Sequence, residues 1–148
     1  MDLEAKPILT IDIVKFSLIE PDSEKIRVIQ NFIDMLQKAI PEGRNNYQDR
    51  MWSPAGDGGA LTFSDIPTAL ETALNFGKLN NLHNANPKDS MPFKVRIGIN
   101  LGPVIKEVDF DDRENYWGDG INISARVMSM AKPGQILVSK NYYEQARL

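Results

Sequence analysis

The chain has 148 residues, of which 42% are hydrophobic and 25% charged, with a formal net charge of −3. That is one globular domain's worth of sequence, enough to bury a core, and its acidic balance excludes nucleic-acid binding driven by overall charge. It contains no cysteine, which excludes disulfides and thiolate metal sites, and no apolar run approaches the roughly 18 residues of a membrane span.

In chain order, Pro7 to Val14 (PILTIDIV) is a β-branched run behind a proline and predicts a strand. A helix follows over Ser23 to Ile40, with Ile26, Ile29, Ile33, Leu36 and Ile40 at helical spacing and Ser23 as its N-cap. PEGRNN breaks the chain. A hairpin comes next, Tyr47 to Ser53 paired with Ala60 to Phe63, carrying a knot of three glycines at its tip. Ile66 to Asn84 reads as a second helix with Pro67 in its first turn, and ANPKDSMP as a loop. Phe93 to Gly102 (FKVRIGINLG) is the clearest strand, with Val95, Ile97, Ile99 and Leu101 alternating against Arg96, Gly98 and Asn100. PVIKEV is expected to be its hairpin partner, DFDDRENYWGDG a polar loop and INISARVMSMA a third helix with Ile121, Ala125 and Met128 as its apolar stripe. A turn and strand, KPGQILVS, precede a last helix capped by Ser139. The order βαββαβ, followed by further elements, predicts an α+β class: a ferredoxin-like core with additional strands and helices on one face of a mainly antiparallel sheet.

Four features fit an ordinary domain poorly. Asp12 lies inside an apolar strand, where a carboxylate is costly unless paired; a helix cap or a salt-bridge partner would also account for it. Asp57 sits among Gly56, Gly58 and Gly59. These give either a flexible turn or a backbone that a bulky ligand approaches without Cβ atoms in the way. If the first strand neighbours the hairpin, the two carboxylates converge and repel unless a cation lies between them. Two Mg²⁺ ions held there would clamp the oxygens of a phosphoryl transfer. Asn122 and Arg126 are four apart and share a helix face. That face is either simply solvated or aimed at a phosphoryl group, which an arginine fork neutralises well. Gly98 weakens a strand interior unless something comes close, so its face is expected to be covered by a partner subunit.

ILTIDIVKFS, AGDGGALTF, VRIGINLGPV and NYWGDGINISARVMSMAKPGQILVS resemble, in order, four blocks of class III adenylate/guanylate cyclase catalytic domains. The resemblance spans nearly the whole chain. It implies a head-to-tail homodimer with the active site at the interface, converting a nucleoside triphosphate into a 3′,5′-cyclic nucleotide and pyrophosphate. It further implies that Asp12 and Asp57, with the Ile13 backbone, hold two Mg²⁺ or Mn²⁺ ions. Asn122 and Arg126 of the other subunit would orient the ribose and stabilise the transition state. The backbone from Ile13 through Phe16 to Ser17 would lie along the triphosphate, near Gly56. Lys15 stands where the family usually has glycine. The two base-reading positions fall on Ser53 and Asn115, which match neither the adenine nor the guanine pair. Trp117 is expected to pack or to line the base pocket. The compact chain also resembles small cyclases of bacterial phage-defence systems that make cyclic CMP or cyclic UMP. The base is therefore open between a pyrimidine and adenine, with guanine behind. The family continues after the last helix into a hairpin bearing a triphosphate-contacting lysine, and here the sequence stops at Leu148. The expectation is a single cytoplasmic catalytic domain over 1–148, with a catalytically silent nucleotide-binding or dimerisation module as the alternative. A diguanylate cyclase is disfavoured because AGDGG is not that family's acidic loop.

Overall fold

The computed structural model describes residues 3–42, 50–52, 56–108, 112 and 114–148. The elements run β1 (Leu3–Ile13), a 3-10 turn (Phe16–Leu18), α1 (Asp22–Ala39), β2 (Arg50–Trp52), β3 (Gly58–Thr62), α2 (Ile66–Ala85), β4 (Val95–Val108), β5 (Glu114–Trp117), α3 (Asp119–Ser129), β6 (Ile136–Val138) and α4 (Lys140–Ala146). Strand order is β2-β3-β1-β4-β5, with β6 parallel to the start of β4 and the other pairings antiparallel. This is the expected α+β architecture. No helix among the described residues is long and apolar enough to cross a membrane.

Alternation along β1 and β4 sends successive side chains to opposite faces. Leu9, Ile11 and Ile13 join Val95, Ile97 and Ile99 in the main core. Val28, Phe32, Met35, Leu36 and Ala39 of α1 and Ala69, Ala73 and Phe76 of α2 cover them. The α1 stripe is rotated from the sequence expectation: Ile26 is exposed, while Ile29, Ile33 and Ile40 flank the core. Phe32 and Phe76 meet edge to face at 5.7 Å, a geometry favoured by the aromatic quadrupole. The residue capping α1 is Pro21 rather than Ser23. Asp65 caps α2 by accepting from the Thr68 N–H, and Ser139 caps α4 by accepting from Tyr142.

PVIKEV is not a separate hairpin strand. It continues β4 to Val108, and the antiparallel partner is β5, inside the expected polar loop. Gly102-Pro103 resembles a turn signal, but Pro103 stands where β4 needs no donor. The N–H of Ile97 points outward to Gln135 O, and Ile105 opposes Trp117. By the same alternation the missing N–H of Pro103 falls between β6 and β5, beside no strand.

The second correction concerns α3. α1, α2 and α4 share one face, whereas α3 lies across the other, against Ile8, Thr10, Gly98, Gly102 and Val104. A Cβ on Gly98 would stand 2.3 Å from Met128 N and 2.7 Å from Ser124 O. One on Gly120 would stand 2.7 Å from Pro103 O and 2.8 Å from Gly102 C. Gly98 is thus required by this chain's own helix, and the expectation that a partner subunit covers its face does not hold. Because the helix sits so low, its buried line is Gly120, Ser124 and Val127, not Ile121, Ala125 and Met128. The Ser124 hydroxyl accepts from Thr10 Oγ1 at 2.7 Å and lies 3.1 Å from Ile8 O and 3.2 Å from Gly98 O, bolting α3 to β1 and β4.

Candidate active site

Asp12 and Asp57 come together through strand register. Asp12 opposes Gly58 in the β1–β3 ladder, and Ile13 N donates to Asp57 O at 2.8 Å on the next rung. The aspartates therefore occupy neighbouring rungs of adjacent strands, a few ångströms apart along the backbone. Both are half-buried at one end of the sheet. Two of the three glycines around Asp57, Gly56 and Gly58, have local causes. Gly56 adopts φ +78, which disfavours other residues. A Cβ on Gly58 would fall 2.5 Å from Ile11 O, so this glycine admits β1 rather than a ligand.

Asp12 has the salt-bridge partner that was its alternative explanation, at a position that sequence reasoning did not identify. Arg96 stands opposite it in the β1–β4 register and grips both carboxylate oxygens, Nε to Oδ1 at 3.1 Å and Nη2 to Oδ2 at 2.6 Å. The hydrogen bonds that Arg96 donates to Asp12 raise the guanidinium's pKa above its ordinary value, against the opposing effect of burial. Arg96 Nη1 also reaches Ser129 O, at the end of α3, at 3.4 Å. The available signal was a charged residue in mid-strand, on the same alternating face as Gly98.

Among the described residues no cluster of three or more histidine or acidic side chains could hold a metal. A divalent ion at the Asp12–Asp57 end would rest on two carboxylates. It would complete its shell with backbone, water and substrate oxygens, a donor set that suits Mg²⁺. The oxygen-only chemistry and the backbone placement of the two residues on neighbouring rungs fit such an ion.

Past Ile13 the chain turns through Lys15, held at φ 56, into the 3-10 turn. Phe16 is buried in the main core, while Ser17 is exposed. Lys25 lies over the Phe16 ring, 5.9 Å from its centroid. Phe16 can therefore offer a ligand its backbone but not its ring.

Asn122 and Arg126 sit on the outer side of α3, both exposed. Neither side chain has a hydrogen-bond or ion-pair partner among the described residues. Asn115 lies in β5, half-buried, and Trp117 at the end of that strand is 54% exposed. Trp117 is thus not a core-packing residue. Ser53 lies outside the described residues, but β2, which leads to it, comes within 8 Å of β5 between Cα atoms. The half-buried His83 ring lies tilted at 48° against Phe93, with centroids 5.6 Å apart, and meets Met91 O and Ser90 through Nε2.

A mainly antiparallel βαββαβ sheet, with two acids at one end and an Asn/Arg pair on a separate helix, places the chain in the α+β class. The chain belongs to the adenylate and guanylate cyclase catalytic domain family, whose model matches residues 59–147. It is similar to the putative adenylate cyclase 3 of Rhizobium meliloti (strain 1021), 30% identical over 98 residues, covering 66% of this chain and 16% of that protein. The chain thus spans less than a fifth of the length of such curated relatives. Among solved structures, the guanylyl cyclase Cya2 superposes with a TM-score of 0.78 at 22% identity, over 98% of this chain and 79% of that one. The guanylate cyclase domain of RhGC from Catenaria anguillulae, in complex with GTP, gives a TM-score of 0.69 at 19% identity, over 99% and 85%. At such identities the likeness establishes the fold.

Proposed function

We propose that this domain is a class III nucleotidyl cyclase acting as a head-to-tail homodimer. The 3′-hydroxyl of a nucleoside triphosphate gives up its proton to solvent as its oxygen attacks the α-phosphorus of the same molecule. The O3′–P bond forms, the bond to the bridging oxygen breaks, and pyrophosphate leaves. The observation that carries this reading is the placement of Asp12 and Asp57 on neighbouring rungs at one sheet end.

Asp12, Asp57 and the Ile13 backbone would hold two Mg²⁺ or Mn²⁺ ions, which supply positive charge to the attacking and leaving oxygens. Arg126 donates to the phosphoryl oxygens, where its planar fork matches the charge that develops. Asn122 fixes the ribose. Backbone from Ile13 to Ser17, with Gly56, cradles the phosphates. Asn122 and Arg126 lie exposed and unpartnered among the described residues, which supports their serving a site completed by a second copy. The GTP complex of the Catenaria relative supports a nucleoside triphosphate as ligand. Ser53, Asn115 and Trp117 form the base end. Hydroxyl and amide groups both donate and accept, so they do not select one base; the resemblance to the small phage-defence cyclases puts a pyrimidine level with adenine and guanine behind. Production of cyclic CMP or cyclic UMP would fit an antiviral signalling role in the cytoplasm.

The deciding experiment incubates the protein with each of the four nucleoside triphosphates and Mn²⁺ and identifies cyclic product by mass spectrometry. Absence of product from all four, with the dimer intact, refutes the reading. One observation favours the second reading, a silent nucleotide-binding module: both oxygens of Asp12 are engaged by Arg96. Calorimetric binding without turnover would support it.

A further inference from the structure

The Asp12–Arg96 pair has a consequence for the metal reading, on which this inference rests. The guanidinium meets the carboxylate edge-on through two nitrogens, at 3.1 and 2.6 Å. Such a bidentate contact neutralises the acid's charge and uses the lone pairs on one side of both oxygens. The side chains are 30% and 25% exposed, so water screens the pair only in part. No other cation pairs with Asp12 among the described residues. Arginine stays charged at any pH the protein meets, so no proton transfer removes the competitor.

We infer that Arg96 is a built-in counter-cation that occupies Asp12 and holds down its affinity for divalent ions. A metal arriving at Asp12 must displace the guanidinium or sit beside its charge. Displacement also releases the contact from Arg96 Nη1 to Ser129 O, which ties the metal end of the sheet to the end of α3. Arg96 is in this sense a positioning residue acting through Asp12. A purely structural arginine would make the opposite prediction, because its loss would loosen Asp12 and weaken the site.

The test titrates Mn²⁺ alone, without nucleotide, into the intact protein and its variants. Free ion is followed by electron paramagnetic resonance, and folding by circular dichroism. Arg96→Gln is expected to bind Mn²⁺ about tenfold more tightly or better, the scale on which a neighbouring charge shifts a carboxylate. Arg96→Lys keeps the charge but loses the fork and is expected to fall between the two. Asp12→Asn should lose the tight component in every background. A folded Arg96→Gln protein that binds Mn²⁺ no better than the parent overturns the inference. If the glutamine variant does not fold, the lysine variant decides: tighter binding supports the inference, equal or weaker binding overturns it. If Asp12→Asn binds as well as the parent, Asp12 is no ligand, and the metal reading falls together with this one. The first two failures leave cyclisation of nucleotides untouched.

Discussion

The Asp57 carbonyl accepts from Ile13 N at 2.8 Å, a main-chain bond that a change of side chain leaves in place. Replacing the carboxylate should leave that strand pairing standing. Asp57→Ala is expected to lower cyclic-nucleotide formation by about a thousandfold or more, since metal-assisted charge stabilisation is worth several kcal/mol. Its melting temperature should stay near the parent's. Retained turnover would remove Asp57 from the site. Tyr142 makes the opposite kind of contribution, to stability rather than chemistry. Its hydroxyl donates to Ile66 O and accepts from Leu70 N at 3.2 Å, joining α4 to α2. Burial raises its pKa, outweighing the Leu70 hydrogen bond. A group whose folded pKa lies above its unfolded one stabilises at low pH and loses that contribution as pH rises. Stability should thus fall as pH climbs past the ordinary tyrosine value of about 10, and Tyr142→Phe should flatten that fall in a denaturant series. The same variant should cost about 0.5–1.5 kcal/mol near neutrality, the net worth of a part-buried hydrogen bond.

At the scale of elements, the position of α3 depends on glycines that admit its backbone to the sheet. Gly98→Ala would drive a Cβ into main-chain atoms 2.3 and 2.7 Å away, where no flexible side chain can yield. The expected cost is about 1–3 kcal/mol, typical of overpacking. Activity should fall further than stability, because α3 carries Asn122 and Arg126. Gly77→Ala is the control: in α2 an added Cβ meets nothing within 4 Å, and alanine should stabilise the helix by about 0.5–1 kcal/mol. Thermal melts of the two variants should move in opposite directions. These contrasts mark what the sequence could disclose. Alternation from Val95 to Leu101 and the helical periods were legible because each element buries one face. The rung-neighbour aspartates were legible through the family likeness and a guess at strand order. β5 was not, because four residues in a polar loop carry no period, and their pairing to the end of β4 is tertiary. Gly98 signalled a close approach correctly but could not say whose backbone made it. Arg96 was read only as a member of an alternating face; its partner lies 84 positions away.

At the scale of the whole molecule, the acids and the Asn/Arg pair belong to different surfaces of one chain. Asp12 and Asp57 stand at a sheet end, with Asp12 engaged by Arg96. Asn122 and Arg126 face outward from a helix whose inner line is packed against β1 and β4. Rotating α3 to bring Arg126 inward would break the Ser124 bonds and drive side chains into the glycine contacts, so the packing keeps the pair turned away from its own sheet. If it serves the second copy's acid pair, each homodimer holds two composite sites, and defects in the two halves must complement. Asp57→Ala and Arg126→Ala should each be nearly inactive alone. Mixed in equal amounts and allowed to exchange, half of the dimers become heterodimers. In a two-fold head-to-tail arrangement each of these carries one site with both lesions and one intact, so activity should recover to about one quarter of the parent's. Recovery should follow the rate of subunit exchange and vanish on dilution below the dimer's dissociation constant. A mixture that stays as inactive as its components, with heterodimers demonstrated by native mass spectrometry, would mean that acids and guanidinium serve the same chain or do not cooperate at all.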